Sequence, residues 1–342
     1  RRWRRPRTAS SLPLSPSLSF PSLSSRKRTP LPFAAKCKYA ILDPPARRRL
    51  QDPSIVTDFP YEFLQPPAPG QVYPFKLGLT ADIGQTSLSE KNMKVLKEGL
   101  DGLGNSPVFL LAGDLSYADG FNPRWDTWSM MFEPLLSKVQ MISCVGNHEV
   151  RLSLPTHLGS PRRPRYYSAT SQVSSSEQFV NYDARFPTPY KASGSTSPHW
   201  FSKEVGPVHV ISLCSYCATY PGSWQYEWLV SDFESIDREK TPWVIVMTHA
   251  PWYNSNTAHQ GEAEPHRVDM EELLYDNGVD IFVNGHVHSY ERSIGVYNGC
   301  LNECAPNFIT LGDGGNYEGT YYNWIQPIPR SELQTPIGEP EL

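Results

Sequence analysis

The stretch Val139-Gln140-Met141-Ile142-Ser143-Cys144-Val145-Gly146-Asn147-His148-Glu149 decides the fold. A mostly apolar run of this length, closed by a glycine and followed at once by polar side chains, reads as a buried strand that delivers those side chains at its C-terminal end. Open α/β sheets gather their ligands there. Working outward, four more blocks have the same build: Asp82-Ile83-Gly84, Gly113-Asp114-Leu115-Ser116-Tyr117, Val246-Met247-Thr248-His249 and Gly285-His286-Val287-His288. Each closes an apolar stretch. Gly113 lets its strand end turn sharply before Asp114, and His286 and His288, two apart, share one side of an extended segment.

Seven side chains in these blocks have the chemistry of metal ligands: Asp82, Asp114, Tyr117, Asn147, His249, His286 and His288. Carboxylate, phenolate, amide oxygen and imidazole suit hard or borderline ions such as Fe(III), Zn(II) or Mn(II) better than soft copper. Seven ligands are too many for one tetrahedral ion. They are right for two ions about 3.5 to 4 Å apart that share a carboxylate, the spacing of two-metal hydrolytic centres. Asp114 is the expected bridge, because a second oxygen donor, Tyr117, follows three residues later. Singly, the blocks say little, since Asp-x-Gly is common in turns and an isolated Asn-His carries no signal. Their joint occurrence in this order is what points to a metal centre.

On these blocks, and on the text around them, the chain resembles the purple acid phosphatases within the calcineurin-like metallophosphoesterases. The matching text includes His249-Ala250-Pro251-Trp252-Tyr253-Asn254-Ser255, Gly285-His286-Val287-His288-Ser289-Tyr290-Glu291-Arg292 and Gly312-Asp313-Gly314-Gly315-Asn316, and the likeness runs over residues 71 to 325. Tyr117 separates this branch from its relatives. The resemblance implies an α/β fold: a four-layer α/β/β/α sandwich of two mixed β-sheets with a βαβαβ metal-binding core. It implies Fe(III) held by Asp82, Asp114, Tyr117 and His288, and a divalent Zn, Mn or Fe held by Asp114, Asn147, His249 and His286. It also implies an acid phosphatase that cleaves phosphate monoesters with a metal-bound hydroxide, in which His148, His259 and Asn147 face the substrate. Some members carry two consecutive histidines where this chain has Ala258-His259. Phosphodiester or pyrophosphate hydrolysis, and a catalytically impaired remnant that binds metal or phosphate, are the alternative readings.

Charge is unevenly spread. Residues 1 to 50 hold 13 Arg and Lys against one acid, Asp43, although the whole chain has 31 basic and 35 acidic residues. This Arg, Ser and Pro-rich head has no hydrophobic periodicity and no continuous apolar core of a signal peptide, and its make-up is nearer a transit peptide. Residues 1 to 70 are therefore expected to be a disordered or non-native segment and linker, and residues 71 to 342 the catalytic domain, shortened at its C-terminus relative to the family. The expected partners are small phosphorylated substrates, without nucleic acid. No run of roughly 20 apolar residues reads as a membrane span, and the family resemblance implies secretion.

From Pro74 onward strands and helices alternate. Strands are expected at Phe75 to Leu79, Val108 to Leu110, Val208 to Ile211, Trp243 to Val246 and Ile281 to Val283. Helices are expected from about Ser89, over Trp224 to Ile236, and over His266 to Tyr275 with Gly278 as the stop. Trp125, Trp128 and Phe132 read as core. Residues 151 to 178, rich in Ser, Pro and Arg, read as an inserted loop at the rim of the site. The pairs Cys214/Cys217 and Cys300/Cys304 are spaced for local disulfides or a structural zinc. His157, His199, His209 and His266 read as solvated.

Overall fold

The structure is a computed structural model that describes residues 36–39, 61–70, 73–100, 108–150, 179–325 and 331–335. The chain divides into two units, residues 1–32 and 33–342; the first lies outside the described residues, as does the loop expected at 151 to 178. Within the segment expected to be disordered, β1 (Lys36–Tyr39) and β2 (Tyr61–Leu64) pair as an antiparallel ribbon.

The candidate ligand blocks begin in a βαβαβ unit: β3 (Leu77–Thr80), α1 (Ser87–Leu100), β4 (Val108–Leu111), α2 (Pro123–Leu136) and β5 (Gln140–Ser143). Its three strands form a parallel sheet in the order β3-β4-β5. α1 starts at Thr86 and Ser89, which cap each other: the Ser89 amide donates to Thr86 Oγ1 and the Thr86 amide to Ser89 Oγ, satisfying donors that the first helical turn leaves free. α2 buries Trp125, Trp128, Phe132 and Leu135, as the aromatic spacing predicts.

After the single turns α3 (Asn147–Val150) and α4 (Val180–Arg185) and a 3₁₀ turn at Tyr190–Ser193, the chain builds a second, mixed sheet. Its strands are β6 (Phe201–Val205), β7 (Val208–Ser212), β8 (Trp243–Met247), β9 (Ile281–Asn284), β10 (Tyr290–Ser293), β13 (Asn307–Leu311) and β14 (Ser331–Thr335), in the order β14-β10-β13-β9-β8-β7-β6. The hairpin β11 (Val296–Tyr297) and β12 (Cys300–Leu301) projects from it. α5 (Trp224–Ser235) and α6 (Glu264–Asp276) supply its helices. Gly278, at φ 64°, ends α6 by donating to Tyr275 O, where the sequence places the stop.

The two sheets meet face to face. Val108, Leu110, Ile142, Val208, Val210, Ile245, Met247 and Val283 form one buried layer, while their neighbours Phe109, Leu111, Ile211, Val244, Val246 and Phe282 join the helices in another. Strict alternation within each strand, period two, produces this division. Strands covered on both faces read as continuous apolar runs, which is why they are visible in the sequence.

Three histidines expected to be solvated are buried. His199 bonds Asp183 Oδ1 at 2.9 Å and packs on Phe179. His209 lies on β7 and bonds Asp232 Oδ2 at 2.9 Å. His266 sits under Trp252 with neither ring nitrogen hydrogen-bonded. Sequence reasoning placed them by polarity, whereas local carboxylates and ring packing decide their burial; His157 lies outside the described residues. Cys214 and Cys217 are disulfide-bonded, and Cys300 and Cys304 are free and exposed.

Candidate metal centre

All seven expected ligands converge where β3, β4, β5, β8 and β9 end. Asp82, Asp114, Tyr117, His249, His286 and His288 are buried. Asp82, Asp114, Tyr117 and His286 adopt left-handed backbone angles, φ 51°, 52°, 52° and 67°, a conformation costly outside glycine and concentrated at functional sites. Two glycines make the approach possible. A Cβ on Gly146 would lie 2.0 Å from Asp114 Oδ1, and one on Gly285 would lie 2.1 Å from Asp82 Oδ2, so these positions admit no side chain.

The donor atoms fall into two groups. In the first, the Tyr117 hydroxyl lies 3.2 Å from Asp82 Oδ1 and 3.1 Å from His288 Nε2. In the second, His249 Nε2 lies 3.1 Å from both Asn147 Oδ1 and Asp114 Oδ2, and ligand atoms of Asp114, His249 and His286 all lie within 4.8 Å of one another. Backbone carbonyls fix the ring orientations: His249 Nδ1 faces Ala112 O at 2.7 Å and His288 Nδ1 faces Gly319 O at 3.0 Å. Those nitrogens are the donors, so the His249 Nε2 presents a lone pair toward the acceptors Asn147 Oδ1 and Asp114 Oδ2, while the His288 Nε2 faces the Tyr117 hydroxyl. Acceptors facing acceptors in a buried pocket need a positive charge between them. A proton on His249 is one answer; a metal ion, with these rings oriented as metal-bound histidines are, is the other. The residues fit the metals that the fold implies.

Charges around the ligands are ordered. Burial works to raise the Asp114 carboxyl, but His249 and His148 outweigh it and hold it below its usual range. Burial, reinforced by Asp82 and Asp114, pushes the Tyr117 phenol well above 10, so only a strong cation would ionise it. Burial holds His286 neutral, down to about 4, the form a metal ligand requires.

Next to the ligands, His148 Nδ1 bonds Asp119 Oδ1 at 2.5 Å, and its Nε2 lies 3.7 Å from both Asp114 Oδ2 and Glu318 Oε1. Burial opposes its charge, yet Asp114 and Asp119 prevail and raise it to about 9. His259 lies across the site, its ring 4.0 Å from that of His286, with Nδ1 3.1 Å from Glu262 Oε2. Glu262 Oε2 also meets His286 Nε2 at 2.8 Å.

Sequence reasoning missed Asp119, Glu262, Tyr317, Glu318 and Tyr321, and the part Glu149 plays. Glu149 accepts from the amides of Asp114, Gly146 and Leu115 at 2.9, 2.9 and 3.0 Å, tying the β4 end to the β5 end. Tyr321 stacks on His288 with ring centroids 4.6 Å apart. The acidic Asn147-His148-Glu149 and Asn316-Tyr317-Glu318 ends carried the only sequence signal for two of them.

Over residues 75–290 the chain matches the calcineurin-like phosphoesterase family, and it belongs to that family. Within it, the chain is similar to purple acid phosphatase 18 of Arabidopsis thaliana, 40% identical over 261 residues, which are 76% of this chain and 54% of that protein. It is similar also to probable purple acid phosphatase 20 of the same plant, 38% identical over 276 residues, 80% of this chain and 58% of that protein. The chain thus spans about half the length of the curated relatives it matches. Among solved structures, purple acid phosphatase PPD1 from yellow lupin (Lupinus luteus) seeds shares the fold, with a TM-score of 0.67 and 24% identity over 81% of this chain and 50% of that one.

Proposed function

We propose that this chain carries the catalytic domain of a metal-dependent acid phosphatase that hydrolyses small phosphate monoesters. The observation that carries the reading is the meeting of lone pairs from five strand ends beside a histidine held charged, His148. Asp82, Tyr117 and His288, with Asp114, would hold Fe(III); Asp114, Asn147, His249 and His286 would hold a divalent Zn, Mn or Fe. When bound, such a pair polarises the phosphoryl oxygens and lowers the pKa of water.

The chain's own groups supply the rest. His148, fixed by Asp119 through Nδ1, turns Nε2–H toward the space beside Asp114, where it donates to a phosphate oxygen as negative charge grows. His259, held by Glu262, donates to the departing alkoxide. Asn147 places its amide where ligand and substrate meet. The Cys214–Cys217 disulfide supports an oxidising, secreted location; among the described residues no helix is long and apolar enough to cross a membrane.

The test is turnover by the purified chain loaded with iron(III) and zinc. 4-Nitrophenyl phosphate should be cleaved faster than its bis-ester, and the protein should absorb visible light through Tyr117. Tyr117→Phe should lose that band. A faster bis-ester would overturn the monoesterase reading, and an intact band in Tyr117→Phe would overturn the ligand assignment.

A further inference from the structure

The segment after β13 closes one side of the centre. Gly319 O and Tyr321 both engage His288, and Glu318 reaches His148. Tyr317 behaves differently from its neighbours. Its ring meets Tyr117 edge to face at 5.6 Å, its hydroxyl lies 3.2 Å from Asp119 Oδ2, and the Arg124 guanidinium sits 5.1 Å from its ring centre. Yet Tyr317 is 50% exposed. An aromatic side chain held by a T-shaped contact with Tyr117, by its hydroxyl and by a cation over its ring, with half its surface open and with Asp119 shared with His148, is a preorganised stacking surface. Arg124 pairs with no carboxylate among the described residues; its charge is left to the Tyr317 ring.

We propose that Tyr317 is a specificity-determining residue. It stacks an aromatic group carried on the alcohol side of the ester, so the site favours nucleotides and other phosphate esters bearing a flat ring over purely aliphatic ones. The inference rests on the phosphomonoesterase reading. Tyr317 also bonds Asp119, which positions His148, so replacing it alters turnover of every substrate. A ratio between two substrates with the same leaving alkoxide cancels that effect.

Adenosine 5′-monophosphate and ribose 5-phosphate are such a pair, differing by the base. The metal-loaded wild type should favour the nucleotide by roughly 5- to 150-fold in kcat/KM, the scale of one base stacked on an aromatic side chain. Tyr317→Phe, which keeps the ring and drops the hydroxyl, should keep the ratio while lowering both rates. Tyr317→Leu, which keeps bulk without a π face, and Tyr317→Ala should bring it toward one. A wild-type ratio near one, or a ratio unchanged in Tyr317→Leu, overturns the proposal. If neither ester is cleaved, the phosphatase reading fails, and calorimetry with adenosine decides the stacking surface alone: binding weakened in Tyr317→Leu supports it, and no binding to the wild type overturns it.

Discussion

His148 shows how much one residue's function depends on residues that sequence cannot pair with it. Its place directly after Asn147 was legible, because the strand-end motif sets two consecutive polar side chains at the end of β5. Its partner Asp119 was not, since an aspartate before Gly120 reads as a turn until the fold brings it 2.5 Å from Nδ1. If His148 and His259 serve the substrate, His148→Ala and His259→Ala should each keep metal content and colour and lose about 10²- to 10⁴-fold in turnover; loss of metal from either would place it among the ligands. Asp119→Asn makes a sharper demand. Asp114 and Asp119 raise His148 to about 9 against the pull of burial, so removing one of these charges lets its proton leave at lower pH. The alkaline limb of kcat/KM against pH should move to lower pH in Asp119→Asn, and a limb that stays in place would free His148 from that limb.

At the scale of elements, the apolar strands and the helix stops were readable because burial on both faces and glycine stops leave direct marks in composition. The environments of single polar residues inside those elements were not. His266, on the first turns of α6, is buried beneath Trp252 with no hydrogen-bond partner, and burial lowers it to about 3. Its folded pKa lies below the unfolded value of about 6.5, so the unfolded chain binds the extra proton first. The stability from keeping this ring neutral is complete above about pH 6.5 and declines as pH falls toward 3, by up to roughly 1.4 kcal/mol per pH unit. An enzyme working in acid would carry this cost. His266→Leu removes the titrating group, and urea midpoints for both proteins at pH 5 and pH 7 measure the result. The variant should lose less stability between the two pH values than the wild type, and equal losses would mean that His266 is reached by water in the folded state.

Across the larger unit, the candidate centre joins two sheets that otherwise touch mainly through apolar side chains. Asp82, Asp114, Tyr117 and Asn147 follow strands of the parallel sheet, and His249, His286 and His288 follow strands of the mixed one. Ions held between these groups would cross-link the sandwich at its open end, and without them Asp82 and Asp114 remain buried with histidines as counter-charges. Metal should therefore stabilise the fold as a whole, by about 2.7 kcal/mol for each ion that stands free at 100 times its Kd. For a unit of this size that corresponds to a rise of roughly 5 to 11 °C in Tm for each ion. Chelation should lower Tm by that amount and speed amide exchange at the strand ends of both sheets, not of one. Asp114→Asn, without the shared carboxylate, should bind neither ion well and show little response to added metal. A Tm indifferent to chelation in a wild-type protein shown to hold two ions would mean that the sheets are joined by their apolar layer alone, and that the ligands are placed by the fold without helping to hold it.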